Sequence, residues 1–223
     1  MHCRKPKSVA VITFNYDIGI DFALAARGLH PNYHLGNGTP KKRQETVDLL
    51  KLHGSLNWVQ SAESDPRHIT PYEMNDLIST LAYEGEHSSI TLPVFSHFAT
   101  EAHLGSCHPI PFIVPPTDAK IVFREQIAPV WQRAADHLAE ATTVIVIVYS
   151  IPPTDQFFRD FYAISTIGPK LLDRFWVVDK GPEAEKKYTS VIGGGALRRF
   201  RYFSDGLGES LPVMRMELGT LLK

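Results

Sequence analysis

A chain of 223 residues with 43% hydrophobic and 21% charged residues has the composition of an ordinary globular protein, long enough for one good core and a small inserted subdomain. A net charge of -1 excludes the broad basic footprint of a nucleic-acid binder, and two cysteines, Cys3 and Cys107, exclude a disulfide framework or a Cys-x-x-Cys zinc knuckle. No apolar run reaches the roughly 18 residues of a membrane span, and the opening His2-Cys3-Arg4-Lys5-Pro6-Lys7 lacks the apolar centre of a signal peptide, so the expected setting is cytoplasmic.

Residues 9–17 (VAVITFNYD) form a short β-branched apolar run that suits a strand covered on both faces, as in a parallel sheet. At its carboxyl end Thr13, Asn15 and Asp17 would project into the crevice where open α/β sheets bind ligands. Asn15 and Asp17 are equally good helix-capping residues, and this stretch alone leaves both readings open. Residues 18–27 read as a helix, with Ile18, Phe22 and Ala25 or Ala26 on one face and Gly28 as the stop. Residues 28–47, rich in Gly and Pro around Lys41-Lys42-Arg43, read as a solvated loop.

Leu50 and Leu52 flank Lys51 with period two, which predicts a short strand delivering His53 at its end. Gly54 then lets the backbone turn or approach a ligand closely. Residues 59–108 carry little pattern beyond a helix over 71–83. His97, His103, Cys107 and His108 fall there, but their spacing matches no zinc motif and no metal is expected.

Order returns with a strand at 110–114. A helix of about six turns follows over 121–141, where Ile127, Val130, Trp131, Ala134, Leu138 and Ala141 make one apolar stripe. Trp131 reads as core, and Pro129 as a kink or a helix start. Residues 142–149 (TTVIVIVY) are the most continuous β-branched run, hence the expected central buried strand. Ser150 would stand at its end, and Thr154 or Asp155 would cap a helix over 156–167. A strand over 175–178 ends in Asp179 and leads to a helix over 182–192. Gly193-Gly194-Gly195 follows that helix instead of linking a strand to one, so it reads as a flexible turn and not a phosphate cradle. A strand over 199–203 and a helix from Leu207 complete the chain. The alternation predicts an α/β fold: one Rossmann-like domain over 1–223, its mostly parallel sheet flanked by helices on both faces, with a less regular insertion at about 59–108.

Three stretches coincide with one family. Thr13-Phe14-Asn15-Tyr16-Asp17 resembles the Thr-x-Asn-x-Asp motif of sirtuins, and Leu52-His53-Gly54-Ser55 resembles their catalytic-His motif. Residues 144–155, ending in Tyr149-Ser150-Ile151-Pro152-Pro153-Thr154-Asp155, resemble the later nucleotide-binding strand and turn. The Tyr16 form of the first motif, Pro115-Pro116-Thr117 with Lys120, and the Tyr-Ser-x-Pro-x-x-Asp ending look closer to bacterial SIR2-like domains than to protein deacylases. The likeness spans nearly the whole chain apart from about 59–108, and its specificity lies in the order and spacing of motifs that are each weak alone.

The resemblance implies NAD as ligand and cleavage of its nicotinamide–ribose bond. Carried over, Asn15 and Asp17 would hold the nicotinamide ribose and a water or amide, with His53 as base toward a ribose hydroxyl or an attacking water. Thr13, Phe14, Gly54, Ser55, Tyr149, Ser150 and Asp155 would line the cofactor, and Asp179 would accept hydrogen bonds from the adenosine ribose. The chemistry is reasonable: positive charge develops on the ribose, which a carboxylate stabilises, and an imidazole suits proton removal near neutral pH. The absence of cysteine pairs fits a lost zinc module. That favours an NAD hydrolase, of the kind found in bacterial defence systems, over a deacetylase.

Two departures stand out. Val148 occupies a position where the family usually has Gly. No Gly-Ala-Gly-type loop precedes the first strand, although in the family such a loop wraps the pyrophosphate with backbone N–H groups. The expectation is an N-terminally truncated chain; the alternatives are a partner protein or second copy supplying the missing strand, or a relic that only binds. A non-catalytic NAD or ADP-ribose module and a protein-interaction scaffold therefore stand beside the hydrolase.

Overall fold

Parallel pairing between the first apolar run and residues 46–51 sets the frame of the amino-terminal part. The computed structural model describes residues 9–35, 45–60, 69–71, 111–114, 124–149 and 172–219. Its contacts fall into two units, Met1–Ala134 and Ala135–Lys223.

In the first unit, β1 (Ala10–Thr13) leads to helix α1 (Gly19–Ala25), then to β2 (His30–Asn32) and β3 (Thr46–Lys51). These strands make an all-parallel sheet of order β1-β3-β2, in which Thr13 is the register partner of Lys51 and Asn32 that of Asp48. Being central, β3 passes from exposed Thr46 to fully buried Leu49, Leu50 and Lys51. Helix α1 stops where its sequence says it should. Gly28 takes φ +70°, and the Leu29 and Gly28 amides return to the Leu24 and Ala25 carbonyls at 3.0 and 2.9 Å, the two bonds of a Schellman ending.

A tight turn at His53 leads from β3 into β4 (Gly54–Gln60), which pairs antiparallel with β5 (Ile69–Pro71) and β6 (Pro111–Ile113). Helix α2 (Arg124–Glu140) continues past Pro129, which lies exposed and is not its start, and its buried side chains are Ile127, Val130 and Ala134. Those are three of the six stripe positions read from spacing; Trp131, Leu138 and Ala141 are half-buried.

The second unit holds β7 (Thr143–Ile147), β8 (Arg174–Val178), α3 (Ala184–Val191), a single helical turn α4 (Gly194–Leu197), β9 (Phe200–Phe203) and α5 (Leu207–Gly219). Its sheet is parallel with order β7-β8-β9. Alternation along β8 serves two cores. Phe175 and Val177 pack with Tyr188 of α3 and Ile192 just beyond it, while Trp176 and Val178 pack with Phe203 and with Met214 of α5. Helices thus cover both faces of this sheet.

Mixed α/β architecture with parallel strands agrees with the sequence expectation, and several details differ. Among the described residues the central strand of the second unit is β8, not the run at 142–149, whose distal Ile147 and Val148 are 46% and 73% exposed. A β-branched run reports that a strand forms, but the connections decide its neighbours. One of the three described sheets is antiparallel. Strand β2 falls within the expected loop at 28–47; His30-Pro31-Asn32 has no apolar period, and Pro31 fits because an edge strand leaves a free donor side. The glycine run expected as a flexible turn instead opens α4, with Gly193 at the N-cap. Residue 71, the start of the helix expected over 71–83, ends β5; residues 72–83 and the helix expected over 156–167 lie outside the described residues.

Candidate functional site

Because β1 and β3 are parallel neighbours in register, the segments that follow them emerge at the same sheet edge. The Leu52 amide donates to the Thr13 carbonyl at 2.9 Å, and the Leu56 amide to the Tyr16 carbonyl at 2.9 Å. Between these ties the Phe14 ring meets the His53 imidazole edge to face, centroids 5.3 Å apart, with Trp131 on its other contact at 6.3 Å. Trp131 also donates its indole N–H to the Leu52 carbonyl at 3.1 Å, pinning the turn that carries His53. The two sequence motifs, whose Tyr16 and His53 are 37 positions apart in the chain, are thereby brought together.

Within the first motif, Thr13 Oγ1 accepts the Asn15 amide at 3.0 Å. Asn15, Tyr16 and Asp17 are exposed, and His53 is half-buried. Asp17 Oδ1 accepts the Gly19 amide at 2.9 Å, one of the N–H groups that a helix start leaves without an internal partner. Asp17 thus braces the helix start from one residue ahead of the N-cap, which is Ile18 and has no side-chain cap bond; Asn15 makes its described contact through its backbone. Gly54 has φ +80°, and a Cβ there would stand 2.1 Å from the Phe112 carbonyl oxygen, so its close approach is to the backbone of β6.

Beneath the motifs lies a group that the sequence reading passed over. Lys51 is fully buried, with Nζ 2.6 Å from Asp21 Oδ2. The same ammonium donates to the Asp17 carbonyl at 2.6 Å and to Ser55 Oγ at 2.7 Å. Ser55 donates to Asn57 Oδ1 at 2.5 Å, Asn57 Nδ2 donates to the Tyr33 hydroxyl at 3.0 Å, and Tyr33 donates to Asp21 Oδ1. Lys51, Ser55, Asn57, Tyr33 and Asp21 close a ring, and all five are buried. Burial pulls the Lys51 ammonium below the usual lysine range, against the opposing pull of Asp21 and Asp17. The signal was present: Lys51 sits inside Leu49-Leu50-Lys51-Leu52, and Asp21 lies three residues after Ile18 on the face of α1 that turns inward. A buried cation predicts a buried anion.

A second cluster went unread as well. Asp48 Oδ1 meets His34 Nε2 at 2.9 Å and accepts from Asn32 Nδ2 at 3.0 Å, while Oδ2 accepts from Arg133 Nε at 3.1 Å. It ties β2 and β3 to α2.

In the second unit, Tyr149 follows β7 and Asp179 follows β8, so both stand at carboxyl ends of neighbouring parallel strands. The Tyr149 carbonyl accepts the Tyr188 hydroxyl at 2.5 Å. Asp179 is 9% exposed, and its Oδ1 accepts the Gly181 amide at 2.7 Å. Tyr202 bridges the Asp179 and Gly181 carbonyls with its hydroxyl, at 2.6 and 2.9 Å. Burial first, then the charges of Asp179 and Glu185, raises the Tyr202 phenol above its ordinary value. Ser150 and Asp155 lie outside the described residues, whereas Val148 is described and takes φ +49°.

Among the described residues no group of His, Cys, Asp and Glu is placed to hold a metal ion, and no helix is long and apolar enough to cross a membrane. The sequence matches no model of a known protein family, and no curated protein matches it.

Proposed function

We propose that this chain is a SIR2-like domain that binds NAD and cleaves its nicotinamide–ribose bond. The observation that supports the reading is the β1–β3 register, by which the segment with exposed Asn15 and Asp17 and the turn with half-buried His53 leave the sheet at the same edge. An amide, a carboxylate and an imidazole there suit a ribose: the amide and carboxylate hold hydroxyls and offset developing positive charge, and the imidazole accepts a proton from water or a hydroxyl. The overall change is NAD and water to nicotinamide, ADP-ribose and a proton. The parallel sheets are of the kind from which a Rossmann-like fold is built, and the two cysteines suit a cytoplasmic setting.

Incubation of the protein with NAD, following free nicotinamide, tests the reading. Release by the wild type, abolished in His53→Ala, is the expected result; no release by the wild type overturns hydrolysis. A binding module without turnover is the second reading. It is favoured by Asp17 Oδ1, which already serves the Gly19 amide and so has less to offer a reacting sugar. Calorimetric NAD binding that survives His53→Ala, with no nicotinamide released, would establish it.

A further inference from the structure

The buried ammonium of Lys51 has three hydrogens, and three acceptors surround it: Asp17 O, Ser55 Oγ and Asp21 Oδ2, all at 2.6–2.7 Å. Such a pair is an unpromising route to stability. Withdrawing both charges from water costs several kcal/mol per ion, and replacing a buried pair by apolar groups is often neutral or stabilising. Two of the three bonds stay within the buried ring, but the third leaves it. It reaches the main-chain carbonyl of Asp17, in the exposed turn that carries Asn15 and Asp17.

That third bond has a geometric consequence. The Asp17 carbonyl belongs to the peptide joining Asp17 to Ile18, immediately before α1. Fixing its oxygen fixes the orientation of that peptide. With that peptide held, the Asp17 side chain reaches the Gly19 amide across it, at 2.9 Å. Lys51 is itself the register partner of Thr13, two residues before His53. One side chain thus links the end of β3 to both the turn after β1 and, through Ser55, the start of β4.

We infer that Lys51 is a positioning residue, holding the Asp17 carboxylate and its turn in fixed geometry against His53 for a sugar-bearing substrate. This rests on the NAD-cleaving reading for its substrate, but not for its geometry. Misplacing a reacting group by about 1 Å can cost on the order of 100-fold in rate.

The test compares the full chain with Lys51→Met, Lys51→Arg and the double variant Lys51→Met/Asp21→Asn. The double variant removes the buried charges together and keeps an acceptor for Tyr33, so it separates charge compensation from positioning. Three quantities are read: the thermal midpoint, exchange of the Gly19 amide by NMR, and nicotinamide release from NAD as kcat and KM. The expected result is a double variant with a midpoint restored toward wild type, Gly19 exchange about tenfold faster, and kcat down about 100-fold with KM within a few-fold. Recovery of kcat together with stability, or Gly19 exchange unchanged in the double variant, would overturn the inference. Should both Met variants fail to fold, Lys51→Arg decides. It keeps the charge but presents a planar fork, so Gly19 exchange faster than wild type supports positioning, and unchanged exchange refutes it. A wild type that releases no nicotinamide removes the NAD-cleaving reading, while the Gly19 exchange still decides the role of Lys51.

Discussion

Val148 carries a β-branched side chain at φ +49°, a region that costs a non-glycine residue about 1–2 kcal/mol. In the sequence this valine stands where SIR2-like chains usually have glycine. Its side chain is 73% exposed, so the cost among the described residues lies in the backbone. Val148→Gly should therefore stabilise the protein by roughly 0.5–1 kcal/mol after the extra chain entropy of glycine is counted, read as a higher urea midpoint. Gly54 is the opposite case. At φ +80° and with the Phe112 carbonyl oxygen 2.1 Å from any added Cβ, Gly54→Ala should cost about 3 kcal/mol or more, visible as a lost or strongly lowered unfolding transition. That Gly54 needed freedom was legible from its place after a strand. What it approaches was not, because β6 lies 57 residues on, at Pro111 counted from Gly54, and no local pattern links them. Lys51 was passed over for a related reason: period two marked Leu50 and Leu52 but carried no sign that the residue between them is buried too.

Strong hydrophobic period made elements legible where it was present. Helix α2 and strand β8 lie within a few residues of their expected bounds, because Ile127, Val130 and Ala134 repeat at helical spacing and Phe175 to Val178 offer an apolar group to each face. Strand β4 was missed because Ser55 and Asn57 are polar yet buried, and they are buried only because Lys51 and Tyr33 satisfy them. At the element level Tyr202 makes a prediction of its own, since its hydroxyl ties β9 to the turn after β8. The folded-state phenol titrates above its unfolded value of about 10, so its stabilisation is complete below pH 10 and disappears as pH rises through the folded value. Wild type should exceed Tyr202→Phe by about 1 kcal/mol at pH 7, with the gap narrowing as pH rises through the raised folded value. Urea titrations of both proteins at pH 7, 9 and 11 measure it; a gap that does not change with pH would show that the phenol proton is not what holds the turn.

For the molecule as a whole, alternation of strand and helix was enough to read α/β class, but not how strands assort into sheets, since β-period carries no label for its neighbour. Function was read in the same way: the Thr13–Asp17 and His53 motifs leave the sheet at one edge through the β1–β3 register, and the proposed nucleotide would there be turned over, only bound, or no longer recognised. Ligand linkage separates all three. A ligand that binds only the folded state at 100 times its Kd adds about 2.7 kcal/mol, which for 223 residues raises the thermal midpoint by roughly 5–10 °C. A hydrolase should show that rise on first addition of NAD and lose part of it on incubation as NAD is consumed, whereas His53→Ala should hold it unchanged. A binding module should hold the rise in wild type and His53→Ala alike. A scaffold that has lost the ligand should show no rise with NAD or ADP-ribose, and that outcome would remove the nucleotide reading altogether.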